Sequence, residues 1–512
     1  MVSNQAHRTS IGIDDMAAYI PHLYFPISDL AEARDLEYAK LNKGLGLEAM
    51  SITDAHEDAA TMAANAVLEL ILKNDIDPHR IGRIYLGTES ALDGAKPTAT
   101  YTLDMLNDYF EPTYGPDCLL HCDVVDLTFA CVGAVDALQN TLDWVRGGSD
   151  RIGIVVASDI ARYELGSGGE YTQGAGAIAL LVRENPRLLS IDPDWGVATR
   201  PVHDFFKPLR QVSKADIIRE VLNLFDDQRM DVEALVEQLS ESIEVKGILD
   251  ANEAQLNLHK STPVFDGPYS NDCYQQRIGE ALGHYLAQSG QSADLPIIDK
   301  WDRLVFHLPY AYQARRMFSE IFVDTLRKRG EWTAWAAKNE LSDPQPEQFE
   351  SPEAFQKANA QLLKVVTKTA DYRAFVQEKI EAGERASSLM GNLYAGSLFL
   401  SLMSTLAVAQ REQDDLEDGR IGFFGYGSGS KSKVFVGSLQ PGWRELVERF
   451  QLFERLEERQ AVDYDTYEQL HRGTRTESVM PPEDTFYLKH IETARGVREG
   501  ARTYGRFERV MI

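Results

Sequence analysis

At 512 residues the chain can form two or three average domains, or one large duplicated α/β domain with insertions. Apolar residues make up 44% and charged residues 26%, which supplies a large core and excludes global disorder. The formal net charge is −27, from 52 basic and 79 acidic residues, so nucleic acid is excluded as the main partner, while a small anion on a local basic patch is not.

No run of about 18 apolar residues occurs, so no membrane-spanning helix is expected. The first residues, MVSNQAHRTSIGID, lack the apolar centre of a secretory signal, and the expected location is the cytoplasm. The four cysteines, Cys118, Cys122, Cys131 and Cys273, are too few and too irregularly spaced for a disulfide framework. Cys118, His121 and Cys122 lack a fourth ligand at matching spacing, so no metal site is expected.

Strand-like runs alternate with helical patterns through the first half, the signature of an α/β architecture. Residues 83–87 (RIYLG) form a short strand that ends at Thr88, Glu89 and Ser90. Residues 120–127 lead into Cys131, and 132–146 then place Val132, Val135, Leu138, Leu142 and Val145 at helical spacing. Residues 152–158 and 175–182 read as buried strands on either side of a glycine-rich stretch. In the second half, 304–307 is a strand stub and 391–407 an apolar helix. Residues 421–424 and 434–436 flank the turn GYGSGSKSK. Two polar stretches, 213–260 and 331–384, read as helical insertions on the surface.

Three residues could carry chemistry. Cys131 stands at the expected helix start, where unpaired N–H groups and the helix dipole favour a thiolate and could stabilise an oxyanion. A buried, inert thiol is the alternative, since cysteine is among the most buried residue types. Glu89 follows a buried strand and is placed to act as general acid/base, or as a cap or ion-pair partner. His307 ends the run LVFH, as a hydrogen-bond donor, an acid/base or a satisfied core histidine. The turn GYGSGS lacks phosphate-loop spacing and better suits a tight turn between two strands with Ser428 exposed.

The order of these blocks resembles the 3-hydroxy-3-methylglutaryl-CoA synthase family of the thiolase superfamily. The matching segments are IGIDDMAAYIP, LAEARDLEYAKLNKGLG, HEDAATMAANAV, GTESALDGAK, ACVGA, ASDIARYELGSGGEYTQGAGAIALLV, VFHLPY, GNLYAGSLFLSL, FFGYGSGS and FYLKHIE. They are collinear and span nearly the whole chain apart from the two insertions. The resemblance implies a duplicated thiolase fold, an αβαβα sandwich. Its N-terminal half would be 1–205, the first helical insertion 213–260, and its C-terminal half 261–512 with the second insertion at about 331–384. It implies a homodimer that condenses acetyl-CoA with acetoacetyl-CoA and needs no metal or redox cofactor. Cys131 would accept the acetyl group, Glu89 would act as acid/base, and His307 would orient and polarise the acetoacetyl group. Asn392 and Ser428 would surround the acetoacetyl site, Asp159, Tyr163 and Thr172 would line the substrate tunnel, and Arg315 and Arg316 would face the CoA phosphates.

Departures from the family pattern are Val132 for a tyrosine beside the nucleophile, Tyr312 for a lysine, and Tyr171 for a proline. Tyr312 and the insertions open a second reading, a β-branching synthase whose acceptor rides on an acyl carrier protein. A third reading, a non-catalytic thiolase-fold binding protein, stands against the joint presence of Cys131, Glu89 and His307.

Overall fold

Alternate residues of the central strands belong to different apolar cores, and this period-two division sets the layers. The computed structural model describes residues 10–224, 231–232, 234, 237, 255–290, 297–494 and 496–506. By Cα packing the chain divides into two compact units, Met1–Asp204 with Gly267–Ile512, and Phe205–Asp266.

The larger unit carries one ten-stranded mixed sheet. Its chain-ordered elements are β1 (Ile11–Tyr19), α1 (Ala59–Lys73), β2 (Ile81–Gly87), α2 (Thr98–Tyr114), β3 (Asp123–Leu127), α3 (Gly133–Arg146), β4 (Ile152–Ala161), β5 (Gly174–Glu184) and β6 (Leu189–Ile191). After the smaller unit follow α4 (Gly267–Gln288), β7 (Arg303–Phe306), α5 (Gln313–Lys328), α6 (Pro352–Val366), α7 (Ala370–Lys379), α8 (Glu381–Met390), α9 (Ser397–Glu412), β8 (Arg420–Gly427), β9 (Lys431–Leu439) and α10 (Tyr464–Arg472). The strand order is β7-β8-β9-β6-β1-β5-β4-β2-β3, with Gly196–Thr199 also paired to β9.

On β5, Ala177, Ala179 and Leu181 face a core shared with α1 and α2, while Ile178, Leu180 and Val182 face a second core built on α3 and α9. On β8 and β9, Phe423 and Phe435 face that same second core, whereas Phe424, Tyr426, Val434 and Val436 face a third one, built on α4, α5, α6 and α7. The two halves of the sheet thus lie on either side of the middle core, and the layers are helix, sheet, helix, sheet, helix, the expected αβαβα arrangement. The middle layer holds α3 and α9, both almost free of charge on their buried faces.

Two expectations change. The helix expected at 391–407 begins at Ser397, because Gly391 and Tyr394 take positive φ values of 78° and 42° that an α-helix excludes. The stretch 331–384 is helical, but it is not decoration. Trp332, Leu362, Val366, Tyr372, Phe375 and Val376 are all buried in the third core, which the sheet alone would leave uncovered. In the smaller unit, Phe205–Phe206 pairs with Val264–Phe265, and Arg210–Ser213 with Gln255–Leu258 around the helix Lys214–Leu224. The described part of 213–260 thus combines a helix with a strand ladder, and most of its expected helical run lies outside the described residues.

Phe375 stacks on Phe318 at 5.4 Å and is 6% exposed. Phe375→Ala is expected to destabilise the protein by about 3–5 kcal/mol in urea unfolding. A loss under about 1 kcal/mol would return these helices to a surface role.

Candidate active site

Strand β3 runs into a tight turn whose residue Ala130 has φ 39°. Val132 N–H donates to Phe129 O at 3.0 Å and Gly133 N–H to Ala130 O at 3.3 Å, after which α3 begins. Position 133 must be glycine, since a Cβ there would lie 2.6 Å from Leu127 O. Cys131 therefore stands one residue before the helix cap, 8% exposed, with its Sγ–H donating to Glu89 Oε1 at 3.0 Å. The Val132 and Gly133 N–H groups, expected as oxyanion donors, are already used inside the turn.

Glu89 is set by the carboxylate of Asp159. Asp159 is fully buried and accepts from Glu89 N–H at 2.7 Å, Ser90 Oγ at 2.9 Å and Thr88 Oγ1 at 3.0 Å through one oxygen. Its other oxygen accepts Ala395 N–H at 3.0 Å. Thr128 Oγ1 donates to Thr88 O at 3.1 Å, which ties the loop carrying Glu89 to the turn carrying Cys131. Asp159, expected to line the tunnel, is thus an internal organiser of the site.

Tyr163 and Thr172 lie in the same wall. The Tyr163 phenol lies beside Thr172 and Tyr394, and burial, with Cys131 and Glu89 close by, raises it above the usual tyrosine range. Burial also raises Tyr394, near Tyr163, Glu89 and Cys131. Both phenols stay protonated and can donate. Asn392 is buried; its N–H donates to Thr172 O at 3.0 Å and its Oδ1 accepts Tyr394 N–H at 2.8 Å. Val132 is fully buried in the middle core and brings no hydroxyl to this cluster.

His307 follows β7 and donates its N–H to Phe424 O at 3.0 Å on the parallel neighbour β8. Leu308 N–H donates to Ser397 Oγ at 2.7 Å, docking the strand end on the start of α9. The imidazole is 2% exposed, its Nδ1 has no hydrogen-bond partner among the described residues, and burial lowers its pKa to about 3. It is a neutral group with an unused polar atom, suited to polarising a carbonyl rather than to storing a proton.

Strand β8 ends at Gly427, where a Cβ would come within 2.6 Å of Phe129 O. This close approach brings the Ser428 turn against the Cys131 turn. Ser428 lies beside the Tyr426 phenol, and Asp204 accepts both Tyr426 Oη at 2.5 Å and Gly429 N–H at 2.7 Å. Beyond the turn, Lys431 lies over the Phe129 ring at 3.9 Å, and both Lys431 and Lys433 pair with Asp136 in the first turn of α3, at 2.5 and 2.7 Å.

Arg315 and Arg316 part company. Arg315 Nε donates to both oxygens of buried Glu384 at 3.0 and 2.9 Å, its plane rests on Tyr312, and Glu381 lies 3.6 Å away. The cavity beside it, about 270 Å³, is also lined by Glu48. Its charge is balanced internally, so the expectation that it faces phosphate does not hold; acidic neighbours oppose an anion there. Arg316 is exposed over Tyr310 and has no carboxylate partner among the described residues.

The structure therefore gathers Glu89, Cys131, Asp159, Tyr163, Thr172 and Asn392 through direct contacts, and brings His307 and Ser428 to the same ends of β7 and β8. Sequence reading missed Tyr394 and Asp204. Tyr394 stood inside GNLYAG two residues after Asn392, but only its left-handed backbone and buried neighbours single it out.

The chain matches two family models, described as Hydroxymethylglutaryl-coenzyme A synthase N terminal over residues 7–186 and C terminal over residues 255–489. The hydroxymethylglutaryl-CoA synthase of Haloferax volcanii is 27% identical, covering 90% of this chain and 91% of its own. That of Enterococcus faecalis is 26% identical, covering 91% and 92%. A structure of MvaS in complex with 3-hydroxy-3-methylglutaryl coenzyme A superposes with a TM-score of 0.72 at 27% identity, covering 97% of this chain and 99% of that one.

Asp159→Asn would turn N–H donors toward N–H donors and should lower turnover by about 10–100-fold, since hydrogen bonds to a charged group are worth about 1.5–3 kcal/mol. Unchanged steady-state rates would remove the organising role. A second test concerns pH. The folded state keeps His307 neutral down to about 3, against an ordinary 6.5, so the unfolded chain binds the extra proton as pH falls below 6.5 and stability drops. His307→Gln should lose less stability than the parent between about pH 7 and pH 5 in urea midpoints, and equal losses would contradict the assignment.

Proposed function

Given that the chain belongs to the hydroxymethylglutaryl-coenzyme A synthase family, we propose that it makes 3-hydroxy-3-methylglutaryl-CoA from acetyl-CoA and acetoacetyl-CoA, releasing CoA. The single observation that carries the mechanism is the 3.0 Å contact between Cys131 Sγ and Glu89 Oε1 on two turns that share hydrogen bonds.

Cys131 attacks the acetyl thioester, and CoA leaves with the thiol proton. The acetyl methyl then gives a proton to Glu89, and the carbon so activated adds to the ketone of acetoacetyl-CoA. Neutral His307 donates to that ketone oxygen, the Ser428 turn supplies a further donor to the developing alkoxide, and the alkoxide takes the proton held by Glu89. Water cleaves the Cys131 thioester and frees the product. Tyr163, Tyr394, Thr172 and Asn392 form the polar wall around these atoms, with Arg316 as the cation for the CoA phosphates. The chemistry asks for no metal or redox cofactor. The reading places the enzyme in the mevalonate route to isoprenoids, as a homodimer in the cytoplasm.

The curacin biosynthetic pathway HMG synthase, solved in complex with apo donor acyl carrier protein, shares the fold, with a TM-score of 0.69 at 20% identity. The internal pairing of Arg315 leaves one phosphate-facing arginine instead of two, so the acceptor's carrier is worth testing directly.

Incubation with acetyl-CoA should add one acetyl group to Cys131 by mass spectrometry, and Cys131→Ser should add none. Glu89→Gln should still acetylate while condensation falls by about 100–10,000-fold. Normal condensation in that variant would take the acid/base role from Glu89. After pre-acetylation, acetoacetyl-CoA should outpace acetoacetyl-carrier protein as acceptor, and the reverse preference would replace the CoA reading with the carrier-protein one.

A further inference from the structure

Three residues beyond Asp159, strand β4 has just ended and Arg162 turns away from the polar wall that holds Tyr163. Arg162 is half-buried and has neither a hydrogen bond nor a carboxylate partner among the described residues. It lines a cavity of about 30 Å³ together with Ser51, Thr53, Gln173, Tyr467 and His471.

The groups that could balance its charge are already committed. Glu170, the buried carboxylate of this region, accepts from Arg34 Nε at 2.9 Å and Nη2 at 2.8 Å, from Gly166 N–H at 2.6 Å and from Tyr467 Oη at 3.0 Å. Its charge is matched by Arg34. His471 Nε2 lies 2.9 Å from Tyr163 O and 3.1 Å from Gln173 Oε1, both acceptors, so that nitrogen carries the proton. Burial and the nearby Arg162 hold the imidazole below its usual range, which keeps it neutral. Glu164, the remaining acid near His471, is solvent-exposed. Among the described residues the cavity is lined by one positive charge, largely withdrawn from bulk water, and by no acid.

We propose that this cavity is a binding site for one small inorganic anion of halide size, held by the Arg162 guanidinium. Size and charge decide the class. A water molecule occupies about 30 Å³ in the liquid and needs about 10–15 Å³ of accessible cavity, so this space takes one or two water-sized occupants and excludes a nucleotide or a CoA diphosphate. A single negative charge offsets a single guanidinium, and the Thr53 and Ser51 hydroxyls offer further donors. The site lies outside the catalytic machinery but is joined to it. His471 and Gln173 hold the Tyr163 backbone from this side, with Gln173 Oε1 accepting Tyr163 N–H at 2.8 Å, while the Tyr163 ring faces Cys131 and Glu89.

The test compares the full-length protein in sodium gluconate with the same protein as sodium bromide replaces gluconate at constant total salt. Tm of the parent should rise with bromide by about 1 °C, the size expected for a chain of this length when a ligand binds only the folded state at a few-fold excess over Kd. Arg162→Met should show no such rise, and in gluconate alone it should be at least as stable as the parent, because it removes an unbalanced charge. Anomalous scattering from a bromide-soaked crystal of the parent should place a peak at the guanidinium, a readout that does not depend on any variant folding. An identical bromide response in both proteins, or no anomalous peak at Arg162, would overturn the proposal.

Discussion

The carboxylate of Asp159 is the interaction on which the rest of the site depends. Its two oxygens collect donors from both ends of the chain: Thr88, Glu89 and Ser90 on one, and Ala395 on the other. A buried charge of this kind is tolerated only when its hydrogen-bonding capacity is filled, and here it is filled by the loops that must be registered to one another. Glu89 inherits its position from that constraint, and Cys131 inherits its partner from Glu89.

The layering explains why such a carboxylate can sit there. Helices α3 and α9 occupy the middle of five layers, and the residues just before each of them, Cys131 and 392–396, meet at one end of the sheet. Helix starts leave N–H groups to be satisfied, and the polar wall of Tyr163, Thr172, Asn392 and Tyr394 supplies acceptors and donors where a purely apolar core could not. The glycines at 133 and 427 let backbone approach backbone closely enough for the turns to touch. Sequence, packing and chemistry meet at these few positions.

Much of this was legible from the residues. The strands 83–87, 152–158 and 175–182 fall within β2, β4 and β5, because short, mainly apolar runs bounded by polar turns leave little else to form. The helix after Cys131 begins one residue later than expected, at Gly133. What could not be read was pairing at long range. That Arg315 would be claimed by Glu384, 69 positions away, depends on how α5 packs against α8. That 331–384 would be core depends on a sheet face whose exposure no local pattern reveals. The neutrality of His307 is likewise a property of its surroundings, since the same residue in an open cleft would titrate near its ordinary value.

The lysines of the glycine-rich turn have one more consequence. Lys431 and Lys433 share the single carboxylate of Asp136, and their side chains are only 15% and 9% exposed, leaving one excess positive charge packed beside the first turn of α3. Counter-ions screen exposed charges over a Debye length of about 8–10 Å at physiological strength, but they reach buried ones far less. Negative charge developing at the start of α3 is therefore supported almost equally in dilute and concentrated electrolyte, whereas the field of the exposed Arg316 is screened as electrolyte rises. On the proposed function, ionic strength would separate the two halves of catalysis, weakening capture of the charged substrate while leaving the chemistry at Cys131 nearly untouched.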